Sequence, residues 1–240
     1  MESNRLISSN KNYSQILNVK TIVIKIGSSI LIDPKKNILK NKWLNSLLEE
    51  IAFLKKNGKN IIIVSSGSIA LGKSVLNLTS KKLRLDESQA SAAIGQIKLA
   101  QAYDLILKKY NIYTAQILLT SDDSQNRRRY LNIRSTFKSL LNMGVIPIVN
   151  ENDTVATEEI KFGDNDRLAA QVALITEANL LILLSDIDGL YDKDPNINPD
   201  ANHLPLIKEV TRKMLNMASQ TTSENSKGGM VTKLEAAKIA

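Results

Sequence analysis

The chain has 240 residues, which is enough for one large α/β domain or two small ones. It contains no cysteine, so disulfides, thiolate zinc sites, iron–sulfur clusters and a cysteine nucleophile are excluded. Its single histidine, His203, lies among prolines and asparagines in a predicted loop, where we do not expect the base of a Ser-His-Asp hydrolase.

The net charge is +8, but the lysines are spread along the chain, and only residues 127–129 form a tight basic run. Aromatic residues make up 4% of the chain and no basic–aromatic face is evident, so we expect no nucleic-acid partner. Residues 1–20 lack the apolar core of a signal peptide, and no apolar run reaches membrane-spanning length. These features predict a cytoplasmic protein with no membrane partner.

Predicted strands and helices alternate along the chain. In chain order they are a strand over residues 21–26, a helix over 41–57, a strand over 61–64, a helix that begins at Gly67, a helix over 87–110, a strand over 113–119, a helix over 130–143, a strand over 145–149, a helix over 167–177, a strand over 180–184 and a helix from residue 230 onward. Apolar strands separated by helices are typical of a parallel sheet covered on both faces. We therefore expect one α/β domain over residues 21–240, a three-layer αβα sandwich with a mainly parallel central sheet, after a polar N-terminal extension over residues 1–20.

One edge of this sheet is the predicted site. Right-handed crossovers bring the carboxyl ends of parallel strands to the same edge, where open α/β sheets bind their ligands. Small or polar residues follow four of the predicted strands, at residues 27–29, 65–67, 150–153 and 185–186.

Lys25 lies inside the first apolar strand, directly before Gly27. A lysine in a buried strand costs several kcal/mol unless an anion meets it. Lys25 is therefore a candidate phosphate clamp, assisted by backbone N–H groups of the following Gly-Ser turn. The alternative is an edge strand that leaves the lysine in water.

Residues 67–74 match the phosphate-binding pattern G-x-x-x-x-G-K-[ST], between a predicted strand and a helix. Asp186, after a later strand, is a possible magnesium partner for such a loop. Against this interpretation, apolar residues at helical spacing from Ile69 to Leu78 predict that the helix begins at Gly67 and includes the supposed loop. Lys73 would then be a surface residue.

Two acid- and amide-rich segments stand next to predicted elements. Residues 150–153 (Asn-Glu-Asn-Asp) follow a strand, and residues 163–166 (Gly-Asp-Asn-Asp) precede a helix. Turn formation and helix capping explain some of these residues. Because the segments are so dense in such side chains, they are also candidates for holding an ammonium group or a magnesium ion, or for orienting a lysine.

A glycine pair, Gly228 and Gly229, opens the last predicted helix. Such a pair lets backbone N–H groups approach an anion. Lys233 falls on the first turn, where its charge opposes the helix dipole and suggests an anionic partner. A flexible surface lysine is the alternative.

Taken in order, these segments resemble the amino acid kinase family. The matching stretches are residues 24–29, 64–70, 93–96, 116–120, 146–153, 162–166, 183–191 and 228–233. Each is weak alone, but the ordered set is specific and covers the chain from about residue 20 to its end. The resemblance is greatest to the members that transfer the γ-phosphoryl group of ATP to the side-chain carboxylate of free glutamate, the first step of proline biosynthesis. Acetylglutamate and uridylate kinases, also in this family, usually differ in the first loop.

The resemblance implies roles for individual residues. Lys25 and Lys233 would contact the transferred phosphoryl group and Asp166 would orient both, so these three are the catalytic candidates. Glutamate would be held by Ser66, Gly67, Asp153 and Asn165. ATP would be held by Lys25, Gly27, Ser185, Asp186, Lys227, Gly228, Gly229, Met230, Val231, Thr232 and Lys233.

The resemblance also implies ATP with Mg²⁺ on its phosphates, no protein-held metal, a homo-oligomer, and no assigned role for Lys73. Family members usually carry a small hydroxyl residue where Lys227 stands, so altered ATP affinity is expected. They also continue into further sheet, and many add a small RNA-binding-like domain. Because the chain stops at Ala240, we expect a C-terminally shortened kinase domain without that addition. A shortened remnant that binds an amino acid without turnover remains the alternative from another functional class.

Overall fold

The computed structural model describes residues 18–80, 83–155, 165–219 and 229–240. In chain order the described elements are β1 (Thr21–Ile26), α1 (Ser28–Leu31), β2 (Ile32–Asp33), β3 (Ile38–Leu39), α2 (Asn41–Lys56), β4 (Asn60–Ser65), α3 (Ser68–Val75), α4 (Leu85–Leu107), a 3₁₀ turn (Lys108–Tyr110), β5 (Thr114–Leu119), α5 (Ser121–Gln125), α6 (Arg127–Asn142), β6 (Ile146–Glu151), α7 (Asn165–Ile175), β7 (Leu180–Leu184), β8 (Leu190–Tyr191), β9 (His203–Leu204), α8 (Arg212–Ser219) and α9 (Met230–Ile239).

The central sheet of the described chain has five strands in the order β5-β6-β4-β1-β7, and every pairing is parallel. β1 therefore lies between two neighbours, and Lys25 pairs in register with Val64 on one side and Leu183 on the other. The alternative of an edge strand with its lysine in water is wrong. The predicted α/β sandwich with a parallel sheet is confirmed.

The two faces of the sheet carry separate hydrophobic clusters because successive side chains of a strand point to opposite faces. Ile22, Ile24 and Ile26 of β1 pack into the cluster formed with α2 and α4. Val23 packs into the other cluster, formed with α6 and α7. A fully buried isoleucine or leucine contributes about 1.5–3 kcal/mol relative to an exposed one. By the same alternation Lys25 faces α7.

Helices α3 and α4 pack unusually closely through two glycines. A Cβ atom placed on Gly72 would lie 1.7 Å from the carbonyl oxygen of Ser91, and one on Gly95 would lie 1.7 Å from that of Ser68. Only a residue without a side chain fits at either position. Gly72, the second glycine of the supposed phosphate-binding pattern, is therefore a helix-packing residue.

Several boundaries differ from the sequence prediction. α6 begins at Arg127, not at residue 130, because the Asn126 side-chain oxygen accepts hydrogen bonds from the N–H groups of Arg128 and Arg129, 3.1 Å each. α4 begins two residues earlier than predicted and ends in the 3₁₀ turn. The small β2–β3 and β8–β9 hairpins and helices α1, α5 and α8 were not predicted.

Among the described residues, no helix combines the length and the apolar composition that crossing a membrane requires. The predicted extension over residues 1–20 lies almost wholly outside the described residues.

Candidate active site

The Asp166 carboxylate lies between two lysine ammonium groups. Lys25 Nζ is 2.6 Å from Asp166 Oδ1, and Lys233 Nζ is 3.3 Å from Asp166 Oδ2. Lys25 is 6% exposed and Asp166 is fully buried. The three residues come from β1, from the first turn of α7 and from the first turns of α9, so elements far apart in sequence converge on one carboxylate.

Burial raises the pKa of Asp166, because the buried carboxylate loses hydration. The charges of Lys25 and Lys233 and the hydrogen bonds from Lys25 and Thr232 outweigh burial and hold this pKa below its ordinary value of 3.8. Asp166 is therefore ionised at neutral pH. Two ammonium groups against one carboxylate leave a local excess of positive charge, which suits an anionic ligand.

Thr232 links this carboxylate to the start of α9. Its hydroxyl lies 3.0 Å from Asp166 Oδ2 and 2.7 Å from the carbonyl oxygen of Gly229. A hydroxyl carries one proton, so the two acceptors share it. Thr232 thereby fixes the first turn of α9, and with it Lys233, relative to Asp166.

An amide cluster adjoins the carboxylate. Asn165 Nδ2 lies 2.6 Å from Ser66 Oγ, 2.9 Å from the Ser65 carbonyl oxygen and 2.9 Å from Asn150 Oδ1. With two hydrogens, this amide satisfies two of the three acceptors at a time. The arrangement holds Ser66, at the end of β4, against the start of α7, one residue from Asp166.

Asp153 joins the same cluster through Ser68. Ser68 Oγ donates to Asp153 Oδ2 at 3.1 Å and accepts from Asn150 Nδ2 at 3.4 Å. Gly67 precedes this serine with a φ of +105°, in the region that favours glycine, and caps α3. The four residues predicted to hold an amino acid, Ser66, Gly67, Asp153 and Asn165, are thus neighbours.

A cavity of about 360 Å³ opens on the other side of Lys233. The predicted nucleotide residues Ser185, Asp186, Gly229, Met230 and Lys233 line it. Ser185 Oγ donates to Asp186 Oδ1 at 3.1 Å. The remaining wall comes from the β8–β9 hairpin, from the segment that follows β8, and from one face of α8. The sequence predicts no nucleotide-binding role for these segments.

Gly27 lies beside the Lys25 ammonium group. A Cβ atom at this position would be 3.7 Å from Lys25 Nζ and 3.5 Å from the Leu184 carbonyl oxygen. The backbone of Gly27 is therefore close enough to contribute to the same anion environment. Of the other predicted nucleotide residues, Val231 lies in the first turn of α9, whereas Lys227 and Gly228 are outside the described residues, as are residues 163 and 164.

Two sequence interpretations need correction. Asn150 and Glu151 are the last residues of β6 and are buried, so they do not form a loop after the strand. Asn165 and Asp166 lie within α7, which begins two residues earlier than predicted. The prediction of a helix in place of a phosphate-binding loop is confirmed, because residues 68–75 are helical with Gly67 as the cap, and Lys73 Nζ donates to the Ser80 carbonyl oxygen on the surface.

For two buried polar residues near the site, Tyr103 and Gln96, the sequence predicts no role. The Tyr103 hydroxyl hydrogen-bonds the Ser65 hydroxyl at 2.8 Å, and burial raises the pKa of Tyr103. Gln96 Nε2 donates to the Glu151 carbonyl oxygen at 3.3 Å. Tyr103 is the one aromatic residue in α4, and its buried hydroxyl needs a partner, which was the available signal.

The described ranges contain no group of three or more acidic or histidine side chains placed to hold a metal ion. His203 packs its ring against Tyr191, with 5.1 Å between ring centroids, in the β8–β9 hairpin. It is therefore part of the hairpin beside the cavity.

The chain combines a parallel α/β sheet with two lysines that meet at one buried carboxylate. Comparison of its sequence with known protein families agrees with the resemblance inferred from the motifs. The sequence pattern of the amino acid kinase family matches residues 20–240, and the chain belongs to that family. The resemblance inferred from the ordered motifs is confirmed.

The curated relatives include three proteins named glutamate 5-kinase. Those of Ruegeria sp. (strain TM1040) and Roseobacter denitrificans are 55% and 54% identical, over 92% and 91% of this chain and 60% and 59% of their own lengths. That of Agrobacterium fabrum is 57% identical over 91% of this chain and 56% of its own length. The chain thus spans somewhat under two thirds of the length of these relatives.

Proposed function

We propose that this chain carries the kinase activity named for its relatives, the transfer of the γ-phosphoryl group of ATP to the side-chain carboxylate of glutamate. The proposed product is glutamyl 5-phosphate, which opens proline biosynthesis. One observation carries the proposal: the Lys25 and Lys233 ammonium groups meet at Asp166, between an amide–hydroxyl cluster and an open cavity. The 54–57% identity to proteins named glutamate 5-kinase supports the choice of substrate.

In this proposal glutamate binds at Ser66, Gly67, Asp153 and Asn165. The Ser66 hydroxyl accepts from Asn165 and can donate its own proton to a substrate carboxylate, and the Asp153 carboxylate suits an ammonium group, so the cluster fits the amino and carboxylate groups of an amino acid. ATP binds in the 360 Å³ cavity with its phosphates toward Lys233. Ser185, Asp186 and the Gly229–Lys233 turn contact it, and we assign the same role to Lys227 and Gly228.

The proposed reaction needs no general base, because the glutamate carboxylate is already an anion. Its oxygen forms a bond to the γ-phosphorus while the bond to the bridging β,γ-oxygen breaks and ADP leaves. The barrier is mainly charge repulsion and alignment, and Lys25 and Lys233 offset the negative charge that spreads over the phosphoryl oxygens. Asp166 orients both lysines, and the N–H group of Gly27 is a further donor.

We propose that ATP enters as its magnesium complex. Sites of this kind hold Mg²⁺ through substrate phosphates together with one or two carboxylates. Asp186 lines the cavity, so one carboxylate could join the phosphates in holding a hard divalent cation. Because free glutamate and ATP are cytoplasmic metabolites, we propose the cytoplasm as the compartment.

We also propose that the chain forms a homo-oligomer. Support comes from an exposed apolar stripe on α4, where Ile97 is 69% and Leu105 57% exposed, and from Tyr113 beside the edge strand β5. β5 pairs on one side only within the described sheet, so its other side offers free backbone groups to a second copy.

The test is an assay of the purified chain with glutamate, ATP and Mg²⁺. ADP release that depends on glutamate, together with an acyl phosphate trapped by hydroxylamine, is the expected result. Aspartate, acetylglutamate and UMP serve as control acceptors and should give no turnover above background. Glutamate binding without ADP release would contradict the proposal and support an amino-acid-binding role instead.

A further inference from the structure

The cavity beside Lys233 is lined by three methionines. Met214 and Met217 come from α8, and Met230 is the first residue of α9. The whole chain has five methionines, so most of its thioethers are at this one place. We call Met214, Met217 and Met230 the methionine wall.

The folding of α8 explains this concentration. Met214 and Met217 are three residues apart, which puts them on the same face of the helix, and Ala218 continues that face toward the core. Leu190, Ile187 and Pro195 line the same cavity, so its lining includes further apolar side chains that an apolar ring could contact. Thioether sulfur makes favourable contacts with aromatic rings, which suits a nucleotide base.

The thioethers are also open to reagents. All three methionines are partly exposed, as expected for side chains that line an open cavity. Because the chain contains no cysteine, methionine is its only oxidisable sulfur. A two-electron oxidant that enters the cavity therefore meets no competing thiol on this protein.

We propose that the methionine wall is an oxidative modification site that lowers nucleotide binding when its thioethers become sulfoxides. This inference rests on the proposed ATP site in the same cavity. The oxidant is a peroxide: the sulfur bonds one peroxide oxygen, the O–O bond breaks, and the hydrogen of the transferred oxygen moves to the departing one, which leaves as water. Sulfur loses two electrons and the peroxide gains them.

The consequence follows from the change of polarity. A sulfoxide oxygen is a strong hydrogen-bond acceptor, and an adenine ring packed against the wall would bury it without a donor. Methionine sulfoxide is also returned to methionine by sulfoxide reductases, one for each epimer, so the effect is reversible. In the amide–hydroxyl cluster, the described hydrogen bonds of Asn165 go to Ser65, Ser66 and Asn150 and to no methionine, so glutamate binding there should be unaffected.

The first experiment maps oxidation by mass. The full chain is treated with hydrogen peroxide, with and without ATP and Mg²⁺, and sulfoxide is quantified in each methionine-containing peptide. We expect bound ATP to slow oxidation at Met214, Met217 and Met230 several-fold and to leave Met143, which is 74% exposed after α6, unchanged. Equal protection at all sites, or at none, would overturn the inference.

The second experiment measures affinity. Oxidised protein should bind ATP roughly tenfold more weakly, with unchanged glutamate binding, and treatment with both sulfoxide reductases should restore the original Kd. The triple variant Met214→Leu, Met217→Leu, Met230→Leu should lose this response, whereas Met143→Leu should keep it. Circular dichroism checks that each sample is folded, and a full set of wall sulfoxides without a change in ATP affinity would refute the proposal.

These results are separable from the proposed function. Protection and affinity are read without turnover, so an inactive but nucleotide-binding chain would still test the methionine wall. Absence of glutamate-dependent ADP release from untreated protein would count against the kinase activity alone.

Discussion

At the scale of single residues, the feature that matters most is the pairing of Asp166 with two lysines. A buried carboxylate that keeps only one of its partners is left with uncompensated charge, and removing such a partner is usually strongly destabilising locally. The same removal also deletes a cation from the proposed phosphoryl site. Structure and chemistry therefore depend on the same three side chains.

We predict that Lys25→Ala lowers kcat by on the order of 10²-fold or more, because one of the two cations that would offset phosphoryl charge is lost. Lys73→Ala should change kcat little, since Lys73 lies at the far end of α3 and donates to the Ser80 carbonyl. Steady-state ADP release measures both. A dead Lys73 variant beside a normal Lys25 variant would instead favour a phosphate-binding role for residues 67–74.

Thr232 offers a test of how Asp166 is held ionised. The pKa of Asp166 is below its ordinary value of 3.8 in the folded chain, so its ionisation stabilises the fold above that pH, and this contribution is lost as pH falls through the folded-state pKa. Thr232→Val removes a hydrogen bond to the carboxylate and should raise its pKa.

We therefore expect Thr232→Val to lose its folded structure at a higher pH than the unmodified chain in an acid titration followed by circular dichroism, and to have a reduced kcat. Thr232→Ser keeps the hydroxyl and should restore both. If the valine variant lost activity with unchanged acid unfolding, Thr232 would act through packing and not through Asp166.

At the scale of elements, the contact between α3 and α4 positions the amide–hydroxyl cluster. Ser68 begins α3, and its carbonyl lies where a Gly95 side chain would be. The Ser68 hydroxyl in turn contacts Asp153 and Asn150. The close helix packing thus sets the position of groups that we propose hold glutamate.

Gly95→Ala should therefore destabilise the protein, although glycine to alanine within a helix usually stabilises it. We expect a loss of about 1–3 kcal/mol or more from overpacking, which corresponds to a lower Tm by roughly 2–4 °C per kcal/mol. Thermal unfolding measures it, and the KM for glutamate should rise more than that for ATP. Lys98→Ala, at an exposed position of the same helix, is the matched control and should leave Tm nearly unchanged.

At the scale of the whole molecule, the exposed apolar residues of α4 and the unpaired side of β5 in the described sheet support the proposed homo-oligomer. We expect light scattering after size exclusion to give a mass above that of one 26.6 kDa chain. Ile97→Lys combined with Leu105→Lys should shift the protein toward monomer by putting charge into a buried apolar contact. Phe53→Lys, at a similarly exposed apolar residue on α2, is the control and should leave the mass of the assembly unchanged. A monomeric unmodified chain would contradict the proposal.

Much of the fold could be predicted from sequence because its signals are local. The buried strands β1 and β7 were predicted to the residue, since β7 is a continuous apolar run and β1 is apolar except for Thr21 and Lys25. α6 was predicted three residues short, because the cap at Asn126 precedes the apolar spacing. The two hairpins were missed because strands of two residues are too short to show alternation, and α8 was missed because it spans only eight residues.

The sequence by itself determined the parallel α/β architecture, the sheet edge at which we propose that ligands bind, and the family, because apolar periodicity and ordered motifs are properties of the chain alone. Only the tertiary structure decided that Gly72 packs α3 against α4, that Thr232 reaches Asp166, that Tyr103 supports Ser65, and that three methionines share one cavity. Each of these depends on the distance between side chains from separate elements, and that distance is set by packing across the sheet and between helices, which no local pattern encodes.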